Sequence, residues 1–373
     1  MSRRILFLTG TRADFGKLKS LMRKVEDSNR FEAHIFVTGM HMLSKYGMTS
    51  VEVEKSGFTN VYKYINQNSN DSMDLILAKT IQGLSDYVKE VRPDMIVVHG
   101  DRVEAMAGAV VGALNNVLVS HIEGGEVSGT IDELIRHSVT KLSHLHFVSN
   151  KEARDRLLQL GEDASSVCIF GSPDLDIMNS PDLPNLDAVK ARYEIPFLNY
   201  SIFMYHPVTT ELDRLEYNIK ETVDALIDSG LNYIVIYPNN DDGSEFIIKE
   251  LKRLEDNARF KVFPSVRFEC FLTLLKNAQM MLGNSSAGVR EVPYYGKPSV
   301  NLGSRQNNRA SAHSIINAEE KRELIIEAID IALTSTFKAV KEFGDGSSDQ
   351  LFLDAIEGDA IWKTSKQKVF KDF

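Results

Sequence analysis

The sequence predicts an α/β protein of two doubly wound halves, and three observations carry that expectation. Its 373 residues exceed the ~250–300 at which a single hydrophobic core stops growing. Short apolar runs alternate with amphipathic segments, the rhythm of βαβ units. That rhythm breaks off at a Pro- and Asp-rich stretch near the middle and then restarts.

Taken in order, residues 5–8 (Ile-Leu-Phe-Leu) read as the first strand. The run is too short for a signal-peptide core and has no small-residue cleavage site after it. A helix over 17–25 and a strand over 33–37 follow, then a strand over 95–99, a helix over 103–114 and a strand over 117–122. Met-Ile-Val-Val at 95–98 is continuously apolar, as suits a parallel strand buried on both faces. After a run at 167–170, the segments 171–176 (Gly-Ser-Pro-Asp-Leu-Asp) and 179–185 (Asn-Ser-Pro-Asp-Leu-Pro-Asn) are the expected linker. The second half offers strands at 202–205, 233–237, 260–263, 279–282 and 299–302, with helices over 212–229, 245–254 and 268–276. A loop over 344–349 precedes a final helix near Trp362.

Composition narrows the function classes. Hydrophobic residues at 43% and charged residues at 25% are ordinary for a folded globular chain. A net charge of -9 argues against a general nucleic-acid binder, whose affinity rests on a basic surface. Cys168 and Cys270 lie far apart with no CxxC pair, so two buried thiols in a reducing cytoplasm are expected rather than disulfides or zinc. No window approaches the ~20 apolar residues of a membrane-spanning helix.

Ligands of open α/β sheets sit beyond the carboxyl ends of the strands, so chemistry is sought there. The first strand ends in Thr9-Gly-Thr-Arg-Ala-Asp-Phe-Gly16. A helix N-terminus and Arg12 there suit an anion, although a tight turn with a solvated arginine reads equally well. Neither GxGxxG nor GxxxxGK[ST] occurs at this loop. Val97-Val-His-Gly-Asp-Arg102 gathers His99, Asp101 and Arg102 at a strand end; the alternative is that Asp101 caps the next helix. In the run 120–137, Glu123 ends a strand before Gly-Gly, and Thr130 can cap a helix carrying Asp132, Arg136 and His137. Asp132 and Arg136 share a helix face, and an exposed ion pair would explain them as well.

In the second half, His206-Pro-Val-Thr-Thr210 and Pro238-Asn-Asn-Asp-Asp-Gly-Ser244 follow strands. Gly283-Asn-Ser-Ser-Ala-Gly-Val-Arg-Glu291 opens what reads as a helix suited to a pyrophosphate, with Glu291 about two turns inside, and Arg305 follows a further strand. Carboxylates on one half and anion-binding groups on both suit a negatively charged ligand in an interdomain cleft.

At GTRADFGKL (10–18), HGDR (99–102), HIEGGEVSGTIDELIRHS (121–138), HPVTTE (206–211), YPNND (237–241), GNSSAGVREVP (283–293) and NLGSRQ (301–306) the chain resembles the UDP-N-acetylglucosamine 2-epimerase family. The resemblance spans nearly the whole chain and favours the hydrolysing branch, because Ala13-Asp14 and Gly125-Glu126-Val127 stand where the other branch has GTRPE- and HVEAGLR-type motifs. It implies two Rossmann-like domains facing across a cleft, GT-B-like: residues 1–178 with the catalytic carboxylates, 179–355 binding UDP, and 356–373 crossing back to the first domain.

Carried over by motif, Asp101, Glu123 and Asp132 are the expected catalytic carboxylates. Arg12, Arg102, His206, Asn239, Val266, Ser285, Ser286, Glu291 and Arg305 are the expected UDP contacts, with Arg136 a substrate residue. The implied reaction converts UDP-N-acetylglucosamine and water to N-acetylmannosamine and UDP, the first step of sialic acid biosynthesis, in a cytoplasmic homodimer or homotetramer without cofactor or metal. Glu245 stands where fused animal members carry a lysine used in feedback inhibition. A sibling epimerase for a UDP-2,4-diacetamido-trideoxy sugar and, more remotely, a GT-B glycosyltransferase are the competing readings.

Overall fold

The computed structural model describes residues 2–68, 70–128, 131–306 and 312–371. The chain divides into two compact units: Met1–Glu126, Asp132–Ser180 and Glu342–Phe373 form the first, and Val127–Ile131 and Pro181–Lys341 the second.

The first unit holds strands β1 (Arg3–Thr9), β2 (Phe31–Val37), β3 (Asn60–Lys63), β4 (Met95–His99), β5 (Leu118–Ile122), β6 (Leu145–Val148) and β7 (Val167–Ile169). They pair in parallel in the order β3-β2-β1-β4-β5-β6-β7. Ile5, Phe7, Ile35 and Val97 are fully buried beneath Leu18, Leu21, Met22 and Val25, the apolar stripe of helix Arg12–Glu26. Phe352 and Ile356 from helix Ser348–Glu357 complete the same core.

The second unit holds β8 (Ser201–Met204), β9 (Tyr233–Ile236), β10 (Phe260–Phe263), β11 (Met281–Gly283), β12 (Ser299–Leu302) and β13 (Ile315–Ala318). They are parallel in the order β10-β9-β8-β11-β12-β13. Leu215, Ile219, Val223 and Leu226 of helix Leu212–Asp228 pack on Phe203, Val235, Leu282 and Val300. In each sheet the strand order reverses once, between β1 and β4 and between β8 and β11. Such switch points open crevices at the carboxyl edge.

Three readings are corrected. The stretch 171–176 is not linker: Pro173–Met178 is a helix of the first unit with Pro at its first turn and Leu175, Ile177 and Met178 buried, a place where the missing N–H costs nothing. Its Asp176 accepts hydrogen bonds from Ser348 N (2.9 Å), Ser348 Oγ (2.6 Å) and Asp349 N (2.9 Å), satisfying the N-terminus of the last helix. That helix therefore runs Ser348–Glu357, earlier than expected, and Trp362 sits in a short 3₁₀ turn with Nε1 donating to Ile356 O at 2.7 Å. Cys270 is buried, whereas Cys168 on β7 is only partly so. Among the described residues no helix is long and apolar enough to cross a membrane.

Candidate active site

The first unit gathers its charged groups where β4 and β5 end. Gly100 turns the chain after His99 with φ 70°, its N–H donating to Ile122 O at 3.0 Å, and so presents Asp101. Glu123 follows β5 with φ 64°, a left-handed conformation unusual for a side chain of this size. Its N–H donates to Phe147 O at 3.0 Å, and its carbonyl accepts from Arg136 Nη1 at 2.6 Å.

Arg136, 1% exposed, uses its other nitrogen Nη2 for an ion pair with Asp101. Asp101 is thus not the helix cap: Arg102 holds that position on helix Val103–Leu114. The exposed Asp132–Arg136 pair is also overturned, since Asp132 is only 6% exposed and Arg136 points at Asp101. Asp132 lies one turn before Arg136 on helix Ile131–Leu142 and acts on it through its charge. Thr130, expected to cap this helix, lies outside the described residues.

The Glu123 carboxylate is met by His99, which the sequence placed at this strand end, and by Lys17 and Ser172, which it did not single out. His99 Nε2 lies 3.2 Å from Oε2, and Ser172 Oγ lies 3.1 Å from Oε1. Lys17 Nζ is 3.9 Å from Oε1 but 2.9 Å from Asp174 Oδ2. Beneath them His121 is fully buried, which draws its pKa down to about 3. It is therefore neutral, with Nε2–H donating to Gly100 O at 2.8 Å and Nδ1 accepting from Thr140 Oγ1 at 3.2 Å.

At the β1/β4 switch point Thr11 and Asp14 form a capping box at the start of helix Arg12–Glu26. Arg12 Nη2 pairs with Glu52 Oε1 at 2.7 Å, and Arg102 Nε lies 3.9 Å from Glu104 Oε2. The first loop is thus a capped helix terminus with a paired arginine, not a turn with a solvated one.

In the second unit the expected residues converge on one that was not singled out, Asn284. Its Oδ1 accepts from His206 N at 2.6 Å, and its Nδ2 donates to His206 O at 2.8 Å. Arg305 Nη1 and Gln306 Nε2 donate to its carbonyl at 3.3 and 2.9 Å. Asn239 N donates to His206 Nδ1 at 3.0 Å, so the ring hydrogen sits on Nε2. Gly283 has φ 135°, and a Cβ there would fall 1.9 Å from Met204 O, so only glycine lets β11 lie this close to β8.

Ser285 caps a 3₁₀ turn at Ser286–Gly288. Glu291 then starts a separate helix, Glu291–Tyr294, rather than standing two turns inside a longer one. Pro293 explains the correction, because proline is accommodated in a helix's first turn but not in its interior. Val266 is buried on the loop after β10, away in sequence from this group, and Glu245 is exposed on helix Ser244–Leu251.

Two parallel-sheet units with polar groups at their strand ends define a GT-B-like α/β protein. Solved structures share the fold: the Neisseria meningitidis UDP-GlcNAc 2-epimerase bound to UDP-GlcNAc has a TM-score of 0.80 at 17% identity, covering 95% of this chain and 99% of that one. The Methanocaldococcus jannaschii enzyme with UDP-GlcNAc and UDP gives 0.79 at 21%, covering 95% and 99%. Residues 23–357 match the family model UDP-N-acetylglucosamine 2-epimerase, and the chain belongs to that family. A UDP-N-acetylglucosamine 2-epimerase of Neisseria meningitidis serogroup B is 48% identical over 374 residues, 99% of each chain. The UDP-N,N'-diacetylbacillosamine 2-epimerase (hydrolyzing) of Legionella pneumophila is 30% identical over 355 residues, 94% of each.

Proposed function

We propose that this protein is a hydrolysing UDP-N-acetylglucosamine 2-epimerase that releases N-acetylmannosamine and UDP, supplying sialic acid biosynthesis as a cytoplasmic homo-oligomer. The observation that carries the reading is the pair Asp101 and Glu123, one bound by the Arg136 guanidinium through its carboxylate and the other through its carbonyl. The names of the relatives at 48% and 30% identity support it.

The C2–H of N-acetylglucosamine is not adjacent to a carbonyl carbon, so enolisation cannot invert it, and elimination is the economical route. One carboxylate takes the C2 proton, the C–H electron pair becomes the C1–C2 double bond, and the C1–O pair leaves with UDP. The other carboxyl then delivers a proton to C2 on the opposite face. Water bonds to C1 through its oxygen and returns a proton to that carboxylate, while the first carboxyl gives up its C2-derived proton to solvent, balancing the negative charge that leaves with UDP. Two carboxyl groups that exchange protons, with cations for the diphosphate, meet this need.

In this account Asp101 and Glu123 handle the C2 proton, Asp132 orients substrate or water, and Arg136 fixes the site. Arg12 and Arg102 neutralise phosphate. His206, Asn239, Val266, Ser285, Ser286, Glu291 and Arg305 bind the nucleotide. The test is product identification by NMR after incubation with UDP-N-acetylglucosamine and, separately, a UDP-2,4-diacetamido-trideoxy sugar, the second reading favoured by the Legionella relative. Free N-acetylmannosamine with stoichiometric UDP from the first substrate is expected. Turnover of the second alone would shift the assignment to it, and accumulation of a UDP-linked epimer would sink the hydrolytic reading.

A further inference from the structure

We propose that Ser172 is a hydroxyl rotor that lets Glu123 change protonation state during turnover, an inference that rests on the hydrolytic reading above. Ser172 holds the N-cap position of helix Pro173–Met178, where a serine oxygen ordinarily accepts a backbone N–H of the first turn. Here the side chain makes no capping bond. Its main chain is held instead by Phe343 O, which accepts Ser172 N–H at 2.8 Å, and the hydroxyl is aimed at two carboxyl groups.

Those two groups compete for it. Ser172 Oγ lies 3.1 Å from Glu123 Oε1 and 3.2 Å from Asp174 Oδ2, and all three residues are buried. A serine hydroxyl has one hydrogen and two lone pairs, so it donates to one carboxylate at a time. Lys17 Nζ, at 2.9 Å from Asp174 Oδ2 against 3.9 Å from Glu123 Oε1, gives Asp174 a charged partner whichever way the hydroxyl turns.

With the hydroxyl turned to Glu123, the hydrogen bond suits a carboxylate. With it turned to Asp174, an oxygen lone pair faces Glu123 Oε1 and suits a carboxyl O–H donating to Ser172. Each protonation state of Glu123 therefore has its own complement at Ser172 Oγ, and Glu123 Oε1 keeps a hydrogen-bond partner in both, avoiding the usual penalty for such a change. A carboxyl that takes up and releases one proton in every turnover needs this two-way accommodation.

At Oε1 the choice belongs to Ser172: Lys17 can only donate, and His99, whose ring nitrogen donates or accepts according to its tautomer, faces the other oxygen. His99 approaches Oε2 from the end of β4, and Lys17 comes from helix Arg12–Glu26. Arg136 on helix Ile131–Leu142 binds the Glu123 carbonyl, and its charge is shared with Asp101, Glu126 and Asp132. Ser172 is thus a positioning residue, acting through Glu123.

The test compares Ser172→Ala, Ser172→Gly and Ser172→Thr in the full chain. In the Ala and Gly variants kcat should fall at least tenfold with KM within threefold, and one limb of the kcat–pH profile should move by at least one pH unit. Thr should restore both. Independently of turnover, the Glu123 carboxyl stretch in infrared spectra, identified by its loss in Glu123→Gln, should titrate at a different pH in Ser172→Ala. An Ala variant with the wild-type pH profile and infrared titration overturns the rotor, as does a loss that Thr fails to repair. A wild-type protein that releases no UDP fails the hydrolytic reading instead, and the infrared titration then decides the rotor alone.

Discussion

Glu123 is held in a backbone conformation that costs an L-residue on the order of 1 kcal/mol or more, and Arg136 accounts for its persistence. One side of the Arg136 fork holds the Glu123 carbonyl while the other holds the Asp101 carboxylate. Lysine is a point charge without that fork. Arg136→Lys should therefore lower kcat by about 100-fold, roughly 2.7 kcal/mol of barrier, and lower the thermal midpoint, checked by steady-state kinetics and calorimetry. Asp101 and Glu123 were legible because charged residues closely following an apolar run stand out, and Arg136 because it shares a helix face with Asp132 in the same motif. Lys17, Ser172 and Asp174 were not. Lys17 looks like one more basic residue on an amphipathic helix, and Ser172 and Asp174 lie in a segment rich in turn formers. Only the packing of helix Pro173–Met178 against helix Arg12–Glu26 brings them to Glu123.

Among the elements, strands with continuous apolar runs were readable to within a residue or two, as with β4, β10 and β12. Strands β3 and β13 lie at sheet edges with residues partly exposed, so no apolar run marks them. β6 is four residues long and carries a histidine inside it, His146, which pairs with buried Glu162 at 3.0 Å. The loop after β5 carries its own constraint. Gly125 has φ 75°, and a Cβ there would meet Ala153 O at 2.2 Å, backbone that has no room to move within helix Lys151–Gln159. Gly125→Ala must displace the loop from Glu123 to Glu126, whose carboxylate accepts from Ser149 Oγ at 2.9 Å. A drop in kcat of at least tenfold with a lowered thermal midpoint is expected. Unchanged kinetics would mean that the loop does not set the carboxylate geometry.

The whole molecule divides its acid sensitivity unequally between its two units. Burial lowers the pKa of His34, His144 and His146, takes His41 to about 4 and takes His121 to about 3, and all five lie in the first unit. Each folded value is below the ~6.5 of a free histidine. At these histidines the unfolded chain takes up protons that the folded one refuses, so stability is lost as pH falls through ~6.5 toward 4, a loss that Asp176, raised by burial to about 6, offsets only in part. Hydrogen exchange at pH 7 and pH 5 should show the first unit losing protection well before the second. Equal loss in both would contradict this.

The central claim is that Asp101 and Glu123 move the C2 proton of a UDP-sugar that is then hydrolysed. Its most direct test is turnover of UDP-N-acetylglucosamine in heavy water with NMR of the product, run with wild type, Asp101→Asn and Glu123→Gln. The account predicts free N-acetylmannosamine carrying deuterium at C2 from the wild type, and a loss of about 1000-fold or more in both variants, roughly 4 kcal/mol of barrier. Product retaining protium at C2, or undiminished turnover in both variants, would contradict it.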